Sequence, residues 1–374
     1  MLPEPNFPVR PDDFVDRTQQ IEGFRRALQL GLATGRTSSF AILGDWGIGK
    51  SSLLLKFATV CTEPAFAMLP VFISASKDIS NYLQFAESLL DKFAEALMTA
   101  PNLQTRLQAE LRNWRFKRAS LGAFDLERDS PRLFLSSGSS LLRHTLKKAW
   151  DRYLRGARLN GAIFFLDDLH NITSISKADL ALTIRDQFQF FGVENMNYSV
   201  CFSTRSDYFA DTRSLAEPAA RFYTKLYLVP FTRGETSEYV RAVFSATSES
   251  DLLARWLHQK TFGHPYFLAF VCRQLSLGTS LQPQRLEQIW PAIFDQLGRE
   301  KFRSDISQLS GKEIELVGQF AKLGEGVFAV HQLTSKFQTE YFARLAEKGL
   351  LIRTGRGRYK LYHPLFREFL QQAM

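Results

Sequence analysis

The hydrophobic pattern of this chain changes character twice. Over its first 230 residues, short unbroken apolar runs alternate with longer stretches of helical spacing. The runs Ser39 to Leu43, Leu69 to Ile73, Gly161 to Leu166 and Tyr198 to Ser203 lack polar alternation, the mark of strands covered on both faces. Lys225 to Val229 is a candidate for the last strand. Between them, Lys50 to Val60, Ile79 to Met98 and Ala178 to Phe190 read as helices, and Ile21, Phe24, Leu28 and Leu30 give an earlier helix over Gln19 to Leu30. Strand-helix alternation of this kind predicts a parallel sheet between helices.

After Pro230 the strand signal stops. Gly234 to about Leu297 is helix-rich, with a break at Gly263-His264-Pro265. The last 75 residues differ again. Gly311 to Leu323 and His331 to Phe337 predict two helices, and Thr339 to Lys348 a third, with Thr339 a plausible N-cap. Then come Leu350 to Ile352, the turn Thr354-Gly355-Arg356-Gly357, the run Tyr359 to Tyr362, and a final helix from Pro364. A hairpin directly after three helices is the layout of a winged helix. The predicted boundaries are therefore 1–232 for an α/β core, 233–298 for a helical lid and 299–374 for the winged helix. The first dozen residues, with Pro3, Pro5, Pro8 and Pro11, should be extended.

The candidate chemistry starts at Gly44-Asp45-Trp46-Gly47-Ile48-Gly49-Lys50-Ser51, followed by Ser52. This fits G-x-x-x-x-G-K-S between a predicted strand and a predicted helix, the context the motif requires. Its glycines let several N–H groups turn towards phosphate oxygens, and the helix start adds its positive dipole end. Lys50 brings a point charge to the β- and γ-phosphates, and the Ser51 hydroxyl can ligate Mg²⁺. A nucleoside triphosphate and Mg²⁺ are thus the expected ligands.

Such a loop needs a carboxylate on a neighbouring strand, and Ile163-Phe164-Phe165-Leu166-Asp167-Asp168 supplies two at the sheet's C-terminal edge. Asp167 would hold Mg²⁺ through its water shell, and Asp168 would polarise the attacking water. The pair could instead cap the next helical segment. Arg205 follows another strand, where it either senses the γ-phosphate or closes a strand at the surface. Arg221 precedes the last strand, either as a finger reaching a neighbouring subunit's nucleotide or as half of an internal ion pair.

These features together resemble the AAA+/STAND branch of P-loop ATPases, in particular the archaeal-type ATPases with a C-terminal winged helix and the origin-recognition-type initiator ATPases. Phe14-Val15-Asp16-Arg17 with Ile21-Glu22 is similar to that class's N-terminal box near the adenine, with Asp16 in place of a Gly. Thr204-Arg205 falls at its sensor position, and Ala220-Arg221-Phe222 with Val229-Pro230-Phe231 at its arginine-finger box. Gly263-His264-Pro265 resembles the lid element whose Pro packs on the adenine. Tyr362-His363-Pro364-Leu365-Phe366-Arg367 resembles the winged-helix segment whose His contacts the ADP β-phosphate, although His363 could simply cap the last helix. The resemblance implies an ATP-hydrolysing switch that oligomerises in the ATP state.

Composition bears on partners. The chain of 374 residues has 47 Lys and Arg against 38 Asp and Glu, a net charge of +9, which permits an acidic partner or merely keeps the protein soluble. Seven basic residues against two acidic ones lie between Tyr341 and Met374. Arg344, Lys348, Arg353, Arg356, Arg358 and Lys360 on the third helix and wing would suit the phosphates of double-stranded DNA. A winged helix that instead docks a protein effector or inhibits its own chain remains the alternative. Residues 101–160 are also basic, with Arg112, Arg115, Lys117 and Arg118 around Trp114 and Phe116, and read as an insertion. Cys61, Cys201 and Cys272 show no metal or disulfide spacing. No apolar run is long enough for a membrane span, so the expectation is a reduced, cytoplasmic protein.

Overall fold

The computed structural model describes residues 3–100, 138–155, 157–209, 217–245, 248–276, 283–333 and 337–373. They divide into two compact units, one of Val9–Gly44 and Lys50–Leu228, the other of Met1–Pro8, Asp45–Gly49 and Val229–Met374. The greater part of the basic insertion, including Arg112, Arg115, Lys117 and Arg118, lies outside the described residues.

The first unit runs α1 (Thr18–Thr34), β1 (Ser39–Leu43), α2 (Lys50–Cys61), β2 (Met68–Ser74), α3 (Tyr82–Thr99), α4 (Gly138–Ala149), β3 (Gly161–Asp167), α5 (Lys177–Val193), β4 (Tyr198–Thr204), α6 (Glu217–Phe222) and β5 (Tyr223–Tyr227). The five strands form one parallel sheet in the order β2-β3-β4-β1-β5. Every residue of β1 and β4 is buried, as are Gly161 to Leu166 of β3, which accounts for their unbroken apolar runs. Phe24 of α1 stacks on Phe57 of α2 at 4.0 Å, and Phe93 of α3 on Phe164 of β3 at 5.8 Å.

Two boundaries differ from the sequence reading. Helix α3 starts at Tyr82 rather than Ile79, because the Asn81 side chain accepts a hydrogen bond from Gln84 N and caps it there. The last strand is Tyr223–Tyr227 rather than Lys225 to Val229. Its register against β1, Ser39 opposite Tyr223, is set by pairing across the sheet, which a single apolar run does not encode.

The second unit contains α7 (Arg233–Phe244), α8 (Ser248–Thr261), α9 (Pro265–Ser276), α10 (Pro283–Leu297), α11 (Arg303–Ser307), α12 (Gly311–Leu323), β6 (Phe328–Ala329), α13 (Thr339–Glu347), β7 (Leu351–Gly355), β8 (Arg358–Leu361) and α14 (Pro364–Ala373). Reciprocal capping boxes start α7 at Thr232 and Glu235, and α12 at Ser310 and Glu313. The chain turns between α8 and α9 at Phe262 and Gly263, both with positive φ. A Cβ on Gly263 would lie 2.1 Å from Phe231 O, so no other residue fits.

The expected lid boundary at residue 298 falls inside a continuous helical path. A π-helical turn, Gly298–Phe302, joins α10 to α11, and the chain leaves helix only at Gln308. Strands β6, β8 and β7 form an antiparallel sheet with β8 in the centre. Of the helix expected over His331 to Phe337, the described part is a single 3₁₀ turn, Val330–Gln332, and residues 334–336 lie outside the described residues. Thr339 is the first helical residue of α13 and not its cap. Gln338 holds the cap position without a side-chain bond.

Candidate functional site

The site grows from the end of β1. Gly44 N donates to Thr204 O at 3.2 Å, tying the start of the loop to the end of β4. Gly47 and Gly49 take φ of +70° and +94°, the left-handed region that glycine alone adopts without penalty. Among the described residues, nothing comes within 4 Å of where a Gly49 Cβ would stand. Helix α2 then begins at Lys50, whose side chain is buried although charged.

The first unit brings Ser51 and Asp167 together, with the Lys50 charge acting on Asp167. Ser51 Oγ donates to Asp167 Oδ1 at 3.0 Å, and Ser203 Oγ donates to the same oxygen at 2.6 Å. Ser203 Oγ also accepts from Asp168 N at 2.7 Å. Ser203 therefore holds both acidic residues, one by its carboxylate and one by its main chain. The sequence reading missed it. Its only signal was a hydroxyl in the penultimate position of a buried strand, one of several hydroxyls there. Burial raises the Asp167 carboxyl above its ordinary range, opposed by the Ser203 and Ser51 bonds and the Lys50 charge and reinforced by Asp168.

Asp168 has φ 52° and ψ 50°, and its side chain is 40% exposed. Ser52 Oγ accepts from Val9 N at 3.1 Å, so this hydroxyl anchors the N-terminal segment. Arg205 pairs with Asp207 at 3.4 Å. Arg221 is exposed in the last turn of α6, immediately before β5. Asp16, where the resemblance expects Gly, keeps a glycine-like φ of 75°, a conformation Asp tolerates better than most residues.

Residues 45–49 pack within the second unit. His264 Nε2 lies 3.1 Å from Trp46 O, and Tyr266 N donates to Gly47 O at 3.2 Å. Pro265 is the first residue of α9 and lacks the N–H that a helix start leaves unpaired. The Gly263-His264-Pro265 element thus meets the loop through its own His264 and through Tyr266, which follows it. The Trp46 ring lies 4.4 Å from Tyr266 and 6.5 Å from Tyr362, with Lys301 Nζ 3.9 Å from its centroid. Lys301 is ion-paired to Asp305, which accepts from Tyr362 Oη at 2.9 Å.

His363 is used internally. Leu365 N donates to its Nδ1 at 3.1 Å, so the ring proton is on Nε2, which donates to Thr261 O at 3.1 Å. It caps α14 and ties it to the end of α8, and both its nitrogens are committed. Burial, then the neighbouring His264, holds its pKa well below the ordinary value.

The six basic residues assigned to DNA divide. Lys348 Nζ bonds both Glu313 carboxylate oxygens, at 3.0 and 2.9 Å, and Gln308 O at 2.9 Å, which makes it a strut beneath α12. Arg344 pairs with Glu340 at 3.3 Å. Arg356, Arg358 and Lys360 are exposed on the β7-β8 hairpin, and Arg353 is half-buried there. The three cysteines are buried and free. Among the described residues, no cluster of His, Cys, Asp and Glu could hold a structural metal, and no helix is long and apolar enough to cross a membrane.

Residues 13–189 match the AAA ATPase domain family. No curated protein matches the chain by sequence. Among solved structures, the chain is similar to the Walker-type ATPase PABY2304 of Pyrococcus abyssi, at 16% identity and a TM-score of 0.58 over 97% of both chains. It is also similar to the Aeropyrum pernix ORC2 protein in its ADPNP-ADP complexes, at 12% identity and a TM-score of 0.53 over 98% of this chain and 96% of that one. At these identities the likeness is one of fold.

Proposed function

We propose that this chain, whose residues 13–189 match the AAA ATPase domain family, is a Mg²⁺-dependent ATP-hydrolysing switch whose C-terminal module binds duplex DNA. The observation that carries this reading is the 3.0 Å bond between Ser51 and Asp167 beside buried Lys50. A hydroxyl and a carboxylate are oxygen ligands of the kind a nucleotide-bound Mg²⁺ takes, and the Lys50 ammonium is a charge for the phosphates. Mg²⁺, when bound, neutralises charge on the phosphate oxygens.

The chain's own residues do the rest. Main-chain amides of residues 47–51 and the Lys50 ammonium bind the triphosphate. Ser203 fixes Asp167, so that this acid and Ser51 present oxygen ligands together. Asp168 accepts the proton of the attacking water. Arg205 and Arg221 are positive charges for the γ-phosphate, the latter in a neighbouring subunit of an ATP-state oligomer. The carbonyls of Trp46 and Gly47 are held by His264 and Tyr266, so a loop that shifts with nucleotide state acts on helix α9.

Helices α12 and α13 with the β6-β8-β7 sheet serve as a winged helix, and the exposed Arg356, Arg358 and Lys360 on its hairpin, with Arg353, contact the duplex backbone. A gel-shift titration tests this. Binding should weaken steeply with salt and fall further when Arg353, Arg356 and Arg358 become Glu. Absence of binding at moderate salt, with and without ATP, would falsify the DNA assignment. A second reading, a signalling ATPase whose C-terminal module restrains its own chain or docks a protein, is favoured by two observations. Lys348 is committed to Glu313, and Tyr362 and Lys301 contact the loop residue Trp46.

A further inference from the structure

One titratable group beside the acidic pair has no place in the scheme above. His170 lies on the 3₁₀ turn Leu169–Asn171 that follows Asp168. Asn171 N donates to Asp168 O at 2.8 Å, and the left-handed conformation of Asp168 turns the chain back on itself. The result is that His170 Nδ1 comes within 4.0 Å of Asp168 Oδ1. This nitrogen is shielded from solvent and has no hydrogen-bond partner among the described residues.

The contrast with His363 is informative. A histidine that serves only packing has its ring nitrogens satisfied, as that one does. A buried unpaired nitrogen and a non-glycine residue at φ 52° both cost stability, and such costs persist where a site needs them. Here both fall within three residues, next to the proposed proton acceptor.

Burial and the surrounding charges act together on the protonation state. Burial, followed by Lys50 of α2, Arg205 beyond β4 and Lys177 of α5, lowers the His170 pKa to about 4, with Asp207 opposing. The ring is therefore neutral at physiological pH and carries one proton. A carboxylate only accepts, so the tautomer that interacts with Asp168 is the one protonated on Nδ1.

We propose that His170 is a positioning residue for ATP hydrolysis: its Nδ1–H faces Asp168 Oδ1 across 4.0 Å, not as a hydrogen bond but as a dipole that biases this carboxylate towards the orientation from which it takes the proton of the attacking water. The imidazole itself gains and loses no proton. This rests on the reading of Asp168 as that acceptor.

The test uses the full-length protein, with single-turnover hydrolysis of Mg-ATP and nucleotide affinity measured separately by calorimetry. His170→Leu, close in volume and without a donor, should slow hydrolysis about 10- to 100-fold while ATP affinity stays within about threefold, the signature of lost orientation rather than lost binding. His170→Asn places an amide N–H near the position of Nδ1 and should recover most of the rate. Unchanged hydrolysis in His170→Leu overturns the proposal. So does His170→Asn behaving no better than His170→Leu, which would mark a packing role. Asp168→Asn separates the two ideas. If it is inactive while His170→Leu is normal, only the role of His170 fails. If Asp168→Asn hydrolyses at the wild-type rate, the acceptor reading falls and the proposal with it. In the Asp168→Asn background, adding His170→Leu should cost nothing further.

Discussion

Lys301 Nζ sits 3.9 Å from the centre of the Trp46 ring, joining the middle of the phosphate loop to the π-helical turn that leads towards the C-terminal module. Trp46 is 41% exposed, so the contact is half-solvated and worth about 1 kcal/mol. A double-mutant cycle with Lys301→Met and Trp46→Leu, read by chemical denaturation of the second unit's transition, should give a coupling of that size. A coupling near zero would mean that the two groups are merely adjacent.

Ser203 makes a specific demand on turnover. Its hydroxyl holds Asp167 by one bond and the main chain of Asp168 by another. Ser203→Ala should therefore slow phosphate release by about tenfold or more, while Lys50→Ala and Asp167→Asn should slow it at least about 100-fold. Removing Mg²⁺ with EDTA should stop release in the wild type. Phosphate release by Lys50→Ala at the wild-type rate would place the nucleotide elsewhere.

Gly47 and Gly49 should fail differently. A Cβ on Gly47 would lie 2.9 Å from both His264 Cε1 and Tyr266 Cβ, whereas one on Gly49 meets nothing within 4 Å among the described residues. Gly47→Ala should destabilise the nucleotide-free protein by about 1–3 kcal/mol through strain and displaced neighbours. Gly49→Ala should melt closer to the wild type yet lose nucleotide affinity, since its methyl projects into space that phosphate needs. Melting temperatures and ATP calorimetry on the two variants check this pair.

His363 contributes a pH dependence of predictable sign. Its folded pKa is well below 6.5, so below that pH the unfolded chain binds a proton that the folded chain refuses. Its contribution to stability is fully present above 6.5 and is lost as the pH falls towards the folded pKa. His170, His144 and His258, also lowered, act in the same direction. His363→Asn keeps an acceptor for Leu365 N but cannot titrate. It should be less stable at pH 7.5 and show a shallower decline towards pH 5.5 in thermal melts.

The parallel sheet, the glycine-rich loop and the place of Asp167 at the strand end were legible in the chain because each depends on local order. Unbroken apolar runs specify strands buried on both faces, a run of three glycines before Lys50 specifies a phosphate turn, and an acid directly after a buried strand lands at the same sheet edge. The alternatives left open at single residues were decided by partners distant in sequence. Lys348 looked like a phosphate contact until Glu313, 35 residues earlier, took up its ammonium. His363 looked like a nucleotide ligand until Thr261 and Leu365 accounted for both its nitrogens.

The sequence by itself determined which residues could meet a phosphate, since backbone propensity and burial pattern act over a few neighbours. Only the tertiary structure decided how Ser203 ties Asp167 to Asp168, how Trp46 is covered by Lys301, and how His170 comes to face Asp168. Hydrogen bonds and ring contacts depend on distances of a few ångströms between segments, and those distances exist only once the sheet register and helix packing are in place.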